Sequence, residues 1–121
     1  KMGCQCSKYD KHAEARIDFI EPFTEVVKNQ AKEYPVLVYS RSLCEQSMVT
    51  KSLLRKNSVN FEYFELDHMN DNSQIYDALQ NMTSRKSTPY IFIGGTYFGG
   101  LRELQKNIDN GDFKERLRHV Y

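Results

Sequence analysis

The chain is poor in cysteine, in any excess of one charge, and in long apolar runs. Cysteine occurs three times in 121 residues, at Cys4, Cys6 and Cys44. That number and spacing exclude a disulfide framework and suit a reducing compartment, or cysteines with separate tasks. Seventeen Lys+Arg against sixteen Asp+Glu leave a net charge of +1, with no basic block in the sequence. Nucleic acid is therefore not an expected partner. No apolar run approaches the roughly 18 residues that cross a bilayer as a helix, and no stretch near the N-terminus resembles a signal peptide. These absences predict a soluble body and a cytoplasmic location. Cys4, Cys6 and His12 lack a fourth ligand at a familiar spacing, which argues against a structural zinc site.

What is present is enough for one domain: 40% of the residues are hydrophobic and 27% charged. Residues 1–16 are polar and without apolar periodicity, and read as a flexible arm ahead of a domain spanning 17–121. Phe19, Phe23, Val26 and Val27 mark one helix face, with Pro22 expected in the first turn and the helix ending near Glu33. "YPVLVYS" packs Val36, Leu37, Val38 and Tyr39 together, as a strand buried on both faces does. Val49, Leu53 and Leu54 predict a helix from about Cys44 to Lys56, and "NFEYFELD" a second strand. Ile75, Ala78, Leu79 and Met82 predict a third helix. "PYIFIGGTYFGG" predicts two strands turning at Gly94-Gly95, followed by a helix over Leu101–Ile108 and a last amphipathic turn around Phe113, Leu117 and Val120. The order α-β-α-β-α-β-β-α-α gives an α/β class, a small mixed sheet of four strands with helices on both faces. No internal repeat or low-complexity segment interrupts it.

Cys44 falls just past the first strand, where the next helix begins, and sites in open α/β sheets gather at such ends. Bare amides and the helix dipole there favour a thiolate, the form that attacks a disulfide. Arg41 adds a cation and Glu45 an opposing anion, and only geometry decides between them. The alternative is a small buried hydrophobe, the commoner fate of a free cysteine; the polar flanks "RSLCEQS" favour a reactive thiol.

"YSRSLCEQS" resembles the glutaredoxin active-site segment. "RKSTPYIFI" is similar to that family's cis-proline segment, "GGTYFGG" to its last hairpin and "GGLRELQ" to the Gly-Gly start of the following helix. The resemblance spans residues 34–118. It implies a thioredoxin-like fold and a glutathione-dependent thiol-disulfide oxidoreductase, with Cys44 as nucleophile. Ser47 stands where dithiol members carry a second cysteine, which leaves a monothiol mechanism on protein–glutathione mixed disulfides; its hydroxyl either donates to the thiolate or fills helix space.

Glutathione and glutathionylated proteins are the implied partners. The resemblance gives Arg41 and Arg85 to the glycine-end carboxylate, though either could be solvated surface, and the amides of Arg102 and Glu103 to the γ-glutamyl end. Gly99 and Gly100 open the helix that forms this cradle, or a tight turn without a ligand. Thr88, before Pro89, would present its backbone to the substrate like an added strand, Pro89 being cis or an ordinary edge proline.

Glu45 replaces a proline or glycine common in the family, Leu43 an aromatic and Thr88 a valine, departures that imply low activity. The alternative function is a glutathione-ligated [2Fe–2S] carrier or a redox-sensing module. Cys44 would then be a metal ligand in a dimer, since one chain supplies one of four sulfurs; otherwise a monomer is expected.

"MGCQCSK" matches the myristoylation pattern Met-Gly-x-x-x-Ser if Met2 is the initiator. Gly3 would then carry myristate and Cys4 and Cys6 palmitate, a lipoprotein anchored on the cytoplasmic face of a membrane, because two acyl chains hold where one does not. The alternative is an unmodified tail.

Overall fold

The computed structural model describes the backbone of residues 11–70 and 72–121, and the side chains of residues 22–70 and 72–121. The proposed acylation sites and residues 1–10 of the arm lie outside the described residues. The elements are α1 (Lys11–Glu33), β1 (Val36–Ser40), α2 (Glu45–Lys56), β2 (Glu62–Glu65), a single 3₁₀ turn (Leu66–His68), α3 (Asn72–Thr83), β3 (Tyr90–Ile93), β4 (Thr96–Gly99), α4 (Leu101–Asp109) and α5 (Asp112–Leu117). The order is the one expected, with the 3₁₀ turn added after β2.

The first helix differs from the sequence reading. It begins at Lys11, within the span assigned to the arm, and Pro22 lies inside it rather than in its first turn. "AEAR" over residues 13–16 is rich in strong helix formers, and propensity extends a helix where apolar periodicity gives no sign of one. Pro22 has no N–H, so one bond of the α1 ladder is missing at that point.

The sheet runs β2-β1-β3-β4, with β1 parallel to β2 and antiparallel to β3, and β3 antiparallel to β4. Successive strand residues face opposite sides, so β1 feeds two cores. Leu37 and Tyr39 join Val27, Ala31, Ile75, Leu79 and Phe92 under α1 and α3. Val36 and Val38 join Leu54, Ile91, Leu104 and Phe113 under α2, α4 and α5. All five residues of β1 are buried, as its unbroken apolar run requires. Gly94 and Gly95 turn the last hairpin at φ +61° and +82°, a left-handed pair that side chains disfavour.

The pairing directions place the site. Ser40 at the end of β1 pairs with Glu65 at the end of β2. Tyr39 pairs with Tyr90, so antiparallel β3 starts at the same edge. Ile91 pairs with Gly99, so β4 ends there too. One edge of the sheet thus collects the segments leading to Cys44, from Glu65 to Asp67, through Thr88-Pro89, and from Gly99 into α4.

Candidate active site

Cys44 is the N-cap of α2, with extended backbone at φ −91° and ψ 118°. Its half-buried sulfur accepts the Ser47 N–H at 3.4 Å and the Thr88 hydroxyl at 3.1 Å. Partial burial pushes the thiol up. Hydrogen bonds from the Ser47 and Thr88 hydroxyls and from the Ser47 and Gln46 amides outweigh that and hold it below its ordinary value. The question left between Arg41 and Glu45 thus has a third answer: the largest effects lowering the thiol are hydrogen bonds, not either charge. Ser47 is fully buried and its Oγ accepts the Arg41 N–H at 3.4 Å, tying α2 to the loop that carries the nucleophile.

Replacing Thr88 by valine keeps the shape and removes the donor. The expected result is that the alkylation-rate profile of Cys44 moves to higher pH. The thiolate fraction at neutral pH falls while the limiting rate at high pH stays. A profile superimposable on wild type would show that the 3.1 Å contact does not set the thiol.

The Thr88–Pro89 peptide is cis, which resolves the two readings of Pro89. Thr88 is nearly buried at 6% exposure, and its carbonyl lies 3.8 Å from the Cys44 sulfur. Two grooves meet at this point. The first, of about 770 Å³, is lined by Arg41, Cys44, Asp67, Tyr76, Lys86 and Thr88. The second, of about 490 Å³, is lined by Gln46, Arg85, Thr88, Gly100, Arg102 and Glu103. Gln46, Ser87 and Thr88 belong to both, so an extended ligand crossing from one to the other passes the sulfur.

The structure separates two residues that the sequence reading put together. Arg41 lines the first groove, but Arg85 lines the second, where its Nη1 meets Glu103 Oε1 at 3.1 Å. The placement of Arg85 is fixed by its backbone: the N–H is held by Thr83 Oγ1 at 3.2 Å and the carbonyl by the Tyr90 hydroxyl at 2.7 Å. Lys86, next in the chain, stands in the first groove instead. Adjacent residues of a loop leave in different directions, and spacing alone does not say which faces the thiol.

A second correction concerns the cradle at α4. The Gly100 amide is already taken by the chain's own Glu103 carboxylate at 2.8 Å, which closes the helix start from within. That bond first, opposed by slight burial and helped by Arg85, holds the Glu103 carboxyl below its usual range. Gly99 is needed for this close approach. A Cβ on Gly99, whose φ is +149°, would stand 2.8 Å from Glu103 Cγ, and one on Gly100 would collide with Arg85 Nη1. The Glu103 carboxylate is also lowered by its own amide, and Arg102 lies in the same first turn, where backbone N–H groups have no carbonyl partner within the helix.

Sequence reasoning missed Gln46, Asp67, Tyr76, Lys86 and Ser87. Asp67 accepts from the Ser42 N–H at 3.1 Å and from the Ser42 hydroxyl. Those bonds hold its carboxyl low and pin the loop between β1 and Cys44 to the end of β2. Tyr76 carried a signal that went unused: a bulky aromatic just off the apolar stripe of α3.

The donor set does not fit an iron–sulfur cluster held by one chain. Among the described residues no three His, Cys, Asp or Glu gather to hold a metal, and Cys44 supplies one sulfur where a [2Fe–2S] centre takes four ligands.

A thiol capping a helix and touching a cis-proline loop at one edge of a four-stranded mixed sheet defines a redox domain of the thioredoxin-like class. The Glutaredoxin family model matches residues 36–98. Glutaredoxin-C1 of Arabidopsis thaliana is 36% identical over 91 residues, covering 72% of this chain and 73% of the relative. Monothiol glutaredoxin-S12, chloroplastic, of the same plant is 33% identical over 94 residues, 77% of this chain and 52% of the relative. Among solved structures, the holo form of glutaredoxin C1 from Populus tremula x tremuloides superposes with a TM-score of 0.80 at 28% identity, covering 83% of this chain and 99% of that one. The chain belongs to the glutaredoxin family, whose general chemistry is glutathione-dependent thiol–disulfide exchange.

Proposed function

We propose that the chain is a glutathione-dependent thiol-disulfide oxidoreductase acting by a monothiol mechanism. The Cys44 thiolate attacks the glutathionyl sulfur of a protein–glutathione mixed disulfide. The Cys44–glutathione bond forms as the protein–glutathione bond breaks, and the protein sulfur leaves as a thiolate and takes a proton from water. A second glutathione thiolate then attacks the glutathionyl sulfur on Cys44, releasing oxidised glutathione and restoring the Cys44 thiolate. Each step breaks one S–S bond and forms another, and the sum converts the mixed disulfide and one free glutathione into the protein thiol and oxidised glutathione, so the balance closes without a metal or flavin.

The observation that carries this reading is the sulfur at a helix N-cap, given hydrogen bonds from the Ser47 amide and the Thr88 hydroxyl at the junction of two grooves. Ser47 in place of a second thiol supports the monothiol route, because a hydroxyl does not displace a mixed disulfide. The first groove, with Arg41 and Lys86, suits the glycine carboxylate, and the α4 amides with Arg102 suit the γ-glutamyl end.

Kinetics with a glutathionylated peptide should give parallel double-reciprocal lines, and mass spectrometry of the enzyme quenched before the second step should find one glutathione on Cys44. Absence of both turnover and adduct would refute the proposal. Acylation of Gly3, Cys4 and Cys6 would set the same reaction at a membrane surface, a reading supported by the Met-Gly-x-x-x-Ser pattern with Met2 as initiator. Membrane association in a eukaryotic cell is then expected to vanish in Gly3→Ala, and its persistence would refute acylation.

A further inference from the structure

We infer that Tyr76 is a positioning residue for the carboxylate end of a glutathionyl ligand. The Arg41 guanidinium lies over its ring at 4.4 Å from the centroid, and its hydroxyl donates to the Lys86 carbonyl. One side chain of α3 therefore touches both segments that bring cations to the first groove. The inference rests on the glutathione reading above.

The arrangement follows from where each residue starts. Arg41 is exposed and sits in the loop between β1 and α2. Its side chain has no ion-pair partner among the described residues. A long side chain of that kind samples many rotamers, and ordering it on binding costs affinity. The ring face of Tyr76 favours one of those positions before the ligand arrives. Lys86 lies between α3 and the cis-proline corner, and the Tyr76 hydroxyl fixes its carbonyl there. Tyr76 is itself held, its ring packing edge-on to Tyr90 at 6.4 Å and against the α1–α3 core. It therefore supplies a rigid base rather than a second mobile group. Asp67 lines the same groove, but its carboxylate is engaged by the amide and hydroxyl of Ser42, which leaves Arg41 and Lys86 to meet an anion.

The test is equilibrium binding of two redox-inert probes, S-methylglutathione and γ-glutamyl-S-methylcysteine, which lacks the glycine and its carboxylate. Tyr76→Leu is expected to weaken S-methylglutathione roughly two- to fivefold, the value of one exposed cation–π contact. The same variant should bind the shorter probe as wild type does. Tyr76→Phe keeps the ring and should retain most of the affinity for the full probe. Should the leucine variant fail to fold, Tyr76→Met carries the test, since it fills the same space without a ring face and must show the same loss confined to the longer probe. Equal weakening of both probes by Tyr76→Leu, no weakening of either, or a loss in Tyr76→Phe as large as in Tyr76→Leu would overturn the inference. If wild-type protein binds neither probe, the glutathione reading itself falls, and this inference with it. Wild-type binding with an indifferent leucine variant removes the inference alone.

Discussion

Replacing Cys44 by serine is expected to remove the whole of the protein-dependent turnover of a glutathionylated peptide. Ser47→Ala is expected to leave turnover measurable. The first effect follows from ionisation. The site lowers a thiol with donors that are aimed at sulfur, whereas a serine hydroxyl in the same place remains protonated and neither attacks a disulfide nor carries glutathione. The second follows from counting donors. Without the Ser47 hydroxyl the sulfur keeps the Ser47 N–H and the Thr88 hydroxyl, so the thiol rises but still ionises more readily than an unassisted one. The Arg41 N–H loses its acceptor, at about 1 kcal/mol of stability for a single hydrogen bond. Steady-state rates per mole of folded protein would check both, with alkylation of Cys44 counting the active sites of Ser47→Ala. Turnover surviving in Cys44→Ser would place the chemistry elsewhere. Its complete loss in Ser47→Ala would make Ser47 part of the reaction rather than of the support.

The second large effect lies beneath the active-site loop. Lys51 on α2 meets the Glu65 carboxylate at 2.8 Å, with only 11% and 16% of the two side chains exposed. The ammonium also lies over the Tyr63 ring at 4.1 Å from the centroid, and the Ser40 hydroxyl donates to the same carboxylate. Helix α2 is thereby tied to the ends of β1 and β2, next to the residues that lead to Cys44. Lys51→Met is expected to destabilise the fold by about 3 kcal/mol, because it strands a largely buried carboxylate with Ser40 as its remaining partner. The double variant Lys51→Met with Glu65→Leu should recover most of that loss, since a buried pair replaced by apolar groups of similar size is close to neutral. Urea unfolding of the wild type, both single variants and the double variant gives the coupling directly. A double variant no more stable than Lys51→Met would show that the pair is not the source of the effect.

Both predictions turn on groups that differ in how far the chain alone exposes them. Cys44 was identifiable because its position combines two local signals, the end of an apolar strand run and the start of a helical stripe. The Lys51–Glu65 pair was not, because residues fourteen apart in sequence meet only once β2 is laid parallel to β1 and α2 is folded across them. The N-terminal helix shows the limit of periodicity in another way. Phe23 and Val27 face the core and marked its second half, while residues 11–16 are helical without an apolar stripe to announce it.

The order of elements, the parallel and hairpin pairings, and a thiol at Cys44 with Ser47 three residues on were legible in the sequence, since each depends on residue type and short-range spacing. Which cations share a groove with the thiol was settled only in three dimensions. Arg85 and Lys86 are neighbours in the chain, yet backbone bonds to Thr83 and Tyr90 and the close approach to Gly100 send one to each groove. The same holds for Glu103, whose carboxylate closes its own helix, and for Tyr76, which reaches Arg41 and Lys86 across the first groove. Direction at a loop is fixed by long-range packing and hydrogen bonding, which a local repeat does not encode.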